Sequence, residues 1–454
     1  MPPGTIVQLP HATSAEAVAT VRRAAIPLTG AATDYDALIE RIGAARIVLL
    51  GEASHGTHEF YAERARITRR LIEREGFTAV AVEADWPDAY RVNRFVRGLG
   101  SDPDADRALL GFERFPTWMW RNADVLDFVT WLRSHNRAQG ERQAGFYGLD
   151  LYSLHASAAA VVAYLQQVDP TAAVRARERY ACFEPYASDS HRYGQAVVLG
   201  VSDPCRQRVV TQLVELRRRA GDYLRRDGLV AEDEQFVAEQ NARVIADAEE
   251  YYRTMFGEHA ASWNLRDRHM ADTLDELVAH LDRHDGGPRV VVWAHNSHVG
   301  DARHTQMRER GELNLGQLMR ERHGRDAVLV GFTTYDGSVT AAQDWGDPPR
   351  RRRVRPALPD SGEALLHATG IPDFLLLPEL SQRLAETLRQ PRLHRAIGVI
   401  YRPDTERASH YLLTRLADQF DALVHLDRTH AGHPLEREPS WDLLEPPETY
   451  PTAL

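Results

Sequence analysis

Short apolar runs with no polar face constrain this chain more than any other feature. Thr78-Ala-Val-Ala-Val82 and Val290-Val291-Val292-Trp293 are hydrophobic almost throughout, and a strand of that kind must be covered on both faces. Similar runs, with helical stretches between them, mark candidate strands at 46–51, 78–83, 144–149, 289–294, 326–332, 373–378, 395–401 and 422–426. That alternation is the signature of βαβ units. From about 153 to 285 the strand signal gives way to amphipathic patterns such as Phe236, Gln240, Val244, Ala248, Tyr251 and Met255. The expected fold is α/β, with a mainly parallel central sheet flanked by helices. Residues 1–34 form an N-terminal segment, 35–152 and 286–454 the α/β core, and 153–285 an inserted all-helical lobe beside a cleft.

One parallel sheet also accounts for where the polar residues fall. Ile47-Val48-Leu49-Leu50 runs into Gly51-Glu52-Ala53-Ser54-His55-Gly56-Thr57-His58, and Val290–Trp293 runs into Ala294-His295-Asn296-Ser297-His298. Glu83 and Asp85 follow Val82, and Asp150 follows Leu149. A buried strand gains nothing by ending on acids and imidazoles unless its end faces a polar cleft. The carboxyl ends of parallel strands are where such sheets bind ligands.

Past Gly56 the period becomes helical, with Thr57 at the expected N-cap. Phe60, Arg64, Ile67 and Leu71 lie at i, i+4, i+7 and i+11, so Arg64 shares the face that packs on the sheet. A guanidinium turned inward keeps its charge and needs a carboxylate. Glu52 and Glu83 are the nearest in this layout.

These residues permit two chemistries. A histidine oriented by a carboxylate can take a proton from water while arginine or a second histidine steadies the developing oxyanion. Alternatively, the two His-x-x-His pairs and the acids can hold a divalent metal that activates the water. Helical zinc sites in hydrolases space their histidines at i and i+4 with a glutamate between, whereas both pairs here are i and i+3. His58 and His298 are placed in support. Ser54 lacks the Gly-x-Ser-x-Gly elbow of a serine nucleophile. Trp118-Met119-Trp120-Arg121-Asn122 either lines a substrate pocket or packs as helix core. Trp263-Asn264-Leu265-Arg266-Asp267-Arg268-His269 opens a helix rich in donors, either beside the cleft or in solvent.

Composition removes several classes. All 55 basic residues are arginine and none is lysine, which excludes P-loop enzymes, pyridoxal-phosphate Schiff bases, Ser-Lys hydrolases and protein kinases. The net charge of −10 is spread along the chain, so no nucleic-acid partner is expected. No apolar run reaches the ~18 residues of a membrane span, and Met1–Pro10 lacks the pattern of a secretory leader. Cys182 and Cys205 stand apart from each other and from any CxxC spacing, which argues for a reducing, cytoplasmic setting without a disulfide.

Gly51-Glu52-Ala53-Ser54-His55-Gly56, Arg64, Glu83 and Val292-Trp293-Ala294-His295-Asn296-Ser297-His298 resemble the motifs of the erythromycin esterase family, from about residue 35 to about 430. The resemblance implies an α/β core, a helical side lobe and a deep cleft. It implies that the histidine of Gly-Glu-x-x-His, here His55, is a general base on water, which attacks a macrolide lactone carbonyl with no obligatory metal. Glu52, Arg64, Glu83 and His295 match the other catalytic positions.

The expectation is a carboxylic ester hydrolase acting on a lactone or macrolide-like cyclic ester, as in antibiotic resistance, with no required cofactor. His55, Glu52, Glu83, Arg64 and His295 are its catalytic residues. His298, His58, Trp118, Trp120, Arg121 and Arg266 contact the small-molecule substrate. Two alternatives use the same cleft: a transesterase or cyclase with an alcohol in place of water, and a protein that binds metal or haem.

Overall fold

The computed structural model describes residues 13–140, 143–187, 189–227, 229–256 and 259–436. Met1–Pro10 and the end of the expected core segment beyond 436 lie outside the described residues. The strands are β1 (Ile26–Pro27), β2 (Ile47–Leu50), β3 (Ala79–Asp85), β4 (Gly145–Asp150), β5 (Val290–Trp293), β6 (Ala327–Thr333), β7 (Asp336–Ala341), β8 (Arg350–Val354), β9 (Asp373–Leu376), β10 (Arg392–Arg395), β11 (Tyr411–Thr414), β12 (Ala422–Leu426) and β13 (Arg428–Thr429). Eight of them form the central sheet in the order β1-β9-β12-β6-β2-β5-β3-β4. The run from β12 to β4 is parallel, and β9 and β1 close one edge with antiparallel pairings.

Alternation along the strands explains why they are apolar on both sides. Val48, Leu50, Val80, Val82, Val291 and Trp293 join one core with Phe60, Ile67, Leu71 and Phe128. Ile47, Leu49, Ala79, Ala81, Val290 and Val292 join the opposite core with Met270, Leu274 and Leu277 from the helix His259–Asp285. Each fully buried Val, Leu or Ile among them contributes about 1.5–3 kcal/mol.

The chain leaves β2, skips a position to build β3 and β4, and returns to insert β5 between β2 and β3. That reversal is the switch point at which open sheets part their loops into a crevice. Register makes the edge level: Leu50 pairs with Trp293, Trp293 with Val82, and Val82 with Gly148. β2 and β5 end on this row, and β3 and β4 run on past it to the paired Asp85 and Asp150.

Between β4 and β5 the described residues hold helices and no strand, from Leu154–Val168 to His259–Asp285. They have a core of their own around Leu154, Tyr193, Leu216 and Ile245. Within it, Cys182 and Cys205 form a disulfide across 23 residues of sequence. This corrects the expectation of unpaired cysteines: distance along the chain does not measure distance across a helical bundle. No helix among the described residues is long and apolar enough to cross a membrane.

A further expectation is corrected. The run 395–401 is not a strand of the sheet. Arg395 ends β10, Ile397 and Ile400 make only isolated bridges to Ser54 and Ala342, and Ile397 and Tyr401 fill a small separate core with Val339, Ala341 and Val354. The arginine-rich stretch Arg350–Val354 is β8, laddered against β7, with Arg350 and Arg353 exposed and Arg351 and Arg352 half-buried.

Candidate active site

Gly51 lets the chain turn off β2, because a Cβ there would lie 2.0 Å from Asn296 Oδ1. Gly56 has φ +74°, and a Cβ on it would meet the Thr340 carbonyl oxygen at 2.2 Å. Between them, His55 N donates to the Ile397 carbonyl at 3.1 Å and Ile397 N to the Ala53 carbonyl at 2.8 Å. The Glu52–His55 loop is thus held from both sides. Thr57 occupies the N-cap of helix His58–Glu75 without capping it; its hydroxyl pairs with Ser54 Oγ.

Arg64 on that helix is fully buried, and its Nη2 donates to Glu52 Oε2 at 2.7 Å. Its guanidinium also lies 4.5 Å from the Tyr61 ring centroid and 5.2 Å from that of Trp293. The other oxygen, Glu52 Oε1, meets His55 Nδ1 at 2.7 Å. A carboxylate can only accept, so Nδ1 carries the proton and Nε2 is left as the basic nitrogen. His55 lies on the wall of a cavity of about 400 Å³.

Opposite it, His295 is buried with its ring centroid 4.8 Å from that of His55. Its Nδ1 accepts from Ser297 N at 3.2 Å, which puts the proton on Nε2. Burial and the neighbouring His55 hold this imidazole well below the usual histidine range, so it stays neutral. The Ala53 carbonyl exerts a small upward pull, but Nε2 makes no hydrogen bond of normal geometry.

Glu83 ties the second half together. Its Oε2 accepts from His295 N at 2.8 Å and its Oε1 from Arg266 Nη2 at 2.8 Å. His298 Nε2 is 3.3 Å and His55 Nε2 3.9 Å from the same Oε1. Burial alone would raise this carboxyl, yet His298, Arg266 and His55 hold it well below the usual range. Arg266 also forks onto Asp150 through Nε at 3.0 Å and Nη2 at 2.6 Å. His298 Nδ1 bonds Asp267 at 2.9 Å, and its ring stacks on Trp263 at 4.7 Å. Burial opposes its protonation, but Asp267 and Glu83 raise it to about 9. The site thus sets a neutral His295 against an ionised Glu83 flanked by Arg266 and His298.

His55, Glu83, His295, His298, Trp120 and Arg266 all line the cavity, with Glu52 and Arg64 behind them. Three expected contacts do not. His58, first in its helix, turns to Asp124 at 2.8 Å. Trp118 is buried edge-on against Phe115 at 5.2 Å, because the short turn Thr117–Met119 sends Trp118 and Trp120 to different sides. Arg121 pairs with Glu436 at 2.7 Å. Among the described residues no group of three His, Cys, Asp or Glu side chains is disposed to hold a metal ion.

Sequence reasoning missed several residues of the site and its wall. Asp267 and Ser297 stand inside segments singled out for other residues, and Trp263, Arg266 and Asp267 share the i, i+3, i+4 spacing of one helix face. Arg114, Tyr152 and Trp345 carry no comparable signal, since loops fold them in from far along the chain.

The model of the Erythromycin esterase family matches residues 72–429. The chain belongs to the erythromycin esterase family. The matched span includes Glu83 and His295 and begins after Glu52, His55 and Arg64, so the placement of those three rests on the geometry above. Erythromycin esterase type II of Escherichia coli is 26% identical over 324 residues, 68% of this chain and 73% of that protein. A succinoglycan biosynthesis protein of known structure superposes with TM-score 0.74 at 21% identity, covering 95% of this chain and 99% of its own. The erythromycin esterase EreC, solved as a mutant in its open conformation, gives TM-score 0.64 at 18% identity over 89% of this chain and 95% of its own. Erythromycin esterase family membership supports a hydrolase, of the esterase kind.

Proposed function

We propose that the chain hydrolyses a carboxylic ester, of the lactone or macrolide-like cyclic class, with His55 as general base on water. The observation that carries this reading is the Arg64–Glu52–His55 series, which ends at Nε2 on the cavity. Glu52 holds the tautomer that leaves Nε2 basic, and Arg64 fixes the second oxygen of Glu52. Water gives its proton to Nε2 as its oxygen attacks the ester carbonyl, and the negative charge passes to the carbonyl oxygen. His295 Nε2–H, buried and without a hydrogen bond of normal geometry, is the donor that meets that oxyanion. Collapse of the tetrahedral intermediate expels the alkoxide, which takes the proton back from His55. Arg266 and His298 keep Glu83 ionised, and Glu83 in turn holds the backbone at His295.

A panel of macrolides, simple lactones and aryl esters in oxygen-18 water tests the reading. One labelled oxygen is expected in the acid product. His55→Ala is expected to abolish turnover with an unchanged circular dichroism spectrum; activity retained in that folded variant would overturn the assignment.

A further inference from the structure

We propose that Asp88 and Asp85 form a subsite for an ammonium group carried by the substrate; this rests on the ester-hydrolase reading of the same cavity. Both line the cavity wall, Asp85 at the end of β3 and Asp88 in the first turn of the helix Trp86–Val96. The neighbouring carboxylates are already engaged. Glu83 binds Arg266 and His295 N, and Asp150 binds Arg266. One oxygen of Asp85 takes Arg114 Nε at 2.9 Å.

The remaining acceptors point to a missing cation. Asp85 Oδ1 is buried without a hydrogen-bond partner, and the Asp85 side chain is only 6% exposed. Asp88 has no hydrogen bond and no ion pair among the described residues. A carboxylate kept only to favour a helix start would stand free in solvent or bond a backbone amide; Asp88 bonds no amide and is half-buried on the cavity wall. Four charged groups act on it: the acids Asp85 and Glu113 and the cations Arg114 and Arg91. Both cations have other partners, Arg114 on Asp85 and Arg91 on Asp102 at 2.7 Å. Burial, with the Asp85 charge beside it, pushes the Asp88 carboxyl up to about 7.

The surroundings suit an ammonium more than a metal. Phe112, Trp120 and Trp345 line the same cavity, while the Tyr152 ring beside them already carries Arg114 and Arg266. Gly111 passes close beside the carboxylate, since a Cβ on it would lie 3.3 Å from Asp88 Oδ1. Aromatic faces with an unpaired carboxylate attract quaternary and protonated amines.

The test is a fluorescence titration of the whole chain with benzyltrimethylammonium, whose charge does not change with pH. A bound cation favours ionised Asp88, so affinity is expected to tighten roughly 10-fold from pH 5.5 to 8.5. Asp88→Asn is expected to remove that pH dependence. Equal affinity at both pH values, or the same dependence in a folded Asp88→Asn variant, would overturn the subsite. A second measurement compares kcat/KM for a trimethylammonioethyl ester and its neutral 3,3-dimethylbutyl isostere. The preference for the cation is expected to fall about 10-fold in Asp88→Asn, whereas an equal loss on both esters would overturn the subsite. The titration needs no turnover, so absence of ester hydrolysis would overturn the reaction alone.

Discussion

Glu52 Oε2 and Arg64 Nη2 lie 2.7 Å apart in a pair from which solvent is excluded, with Glu52 at 2% and Arg64 at 0% side-chain exposure. Breaking such a pair from one side strands a charge, which costs about 3–5 kcal/mol. Arg64→Leu is therefore expected to lower the unfolding free energy by about that amount, measured in urea. Adding Glu52→Leu removes the stranded charge. The double variant is expected to regain part of the stability and none of the activity.

His295 tests a different link. If its Nε2–H meets the oxyanion, His295→Ala should lower kcat on the order of 10²–10³ with little change in KM. A loss confined to KM would assign the ring to ground-state binding instead.

His298 makes stability depend on pH. Its folded value of about 9 lies above the ~6.5 of an unfolded histidine. Its contribution is thus fully present below pH ~6.5 and is lost as pH rises through about 9. Being buried, it is worth on the order of 3 kcal/mol across that window. His298→Gln should flatten the decline in chemical-denaturation curves taken between pH 6 and 10. Glu83, held low by its cations, acts oppositely: its contribution is present above the unfolded carboxyl value and fades in acid.

The disulfide gives a separate expectation. Alkylation of denatured, unreduced protein should label neither Cys182 nor Cys205, because both are in the bond. Closing a loop of 23 residues stabilises by about 3 kcal/mol in the chain-entropy account. Reduction should shift the urea midpoint downward accordingly.

The sheet and its active edge were legible because they rest on local pattern. Val290–Trp293 reads as a strand from its own residues, and the segments leaving parallel strands must gather at one edge. The pairing of Arg64 with a carboxylate was legible too, since helical period turned it inward. The features that stayed hidden depend on contacts far along the chain. Trp118 and Trp120 are two residues apart, and only the local turn decides which sees the cavity. Ile397 is apolar for a core built from β7 and β8, and Cys205 meets Cys182 only after the helical bundle folds. Asp88 is an ordinary first-turn acid until Gly111 and Asp85 close around it.

The shared row of Leu50, Trp293, Val82 and Gly148 makes the hydrogen-bond ladder a ruler for the chemistry. Slipping β5 by one residue would move His295 by about 3.3 Å and turn Trp293 to the other face. Wrong alignment would cost the core and the reaction together. Selection for a stable sheet therefore protects the distance between the two histidines, while the walls around them stay free to change what they admit.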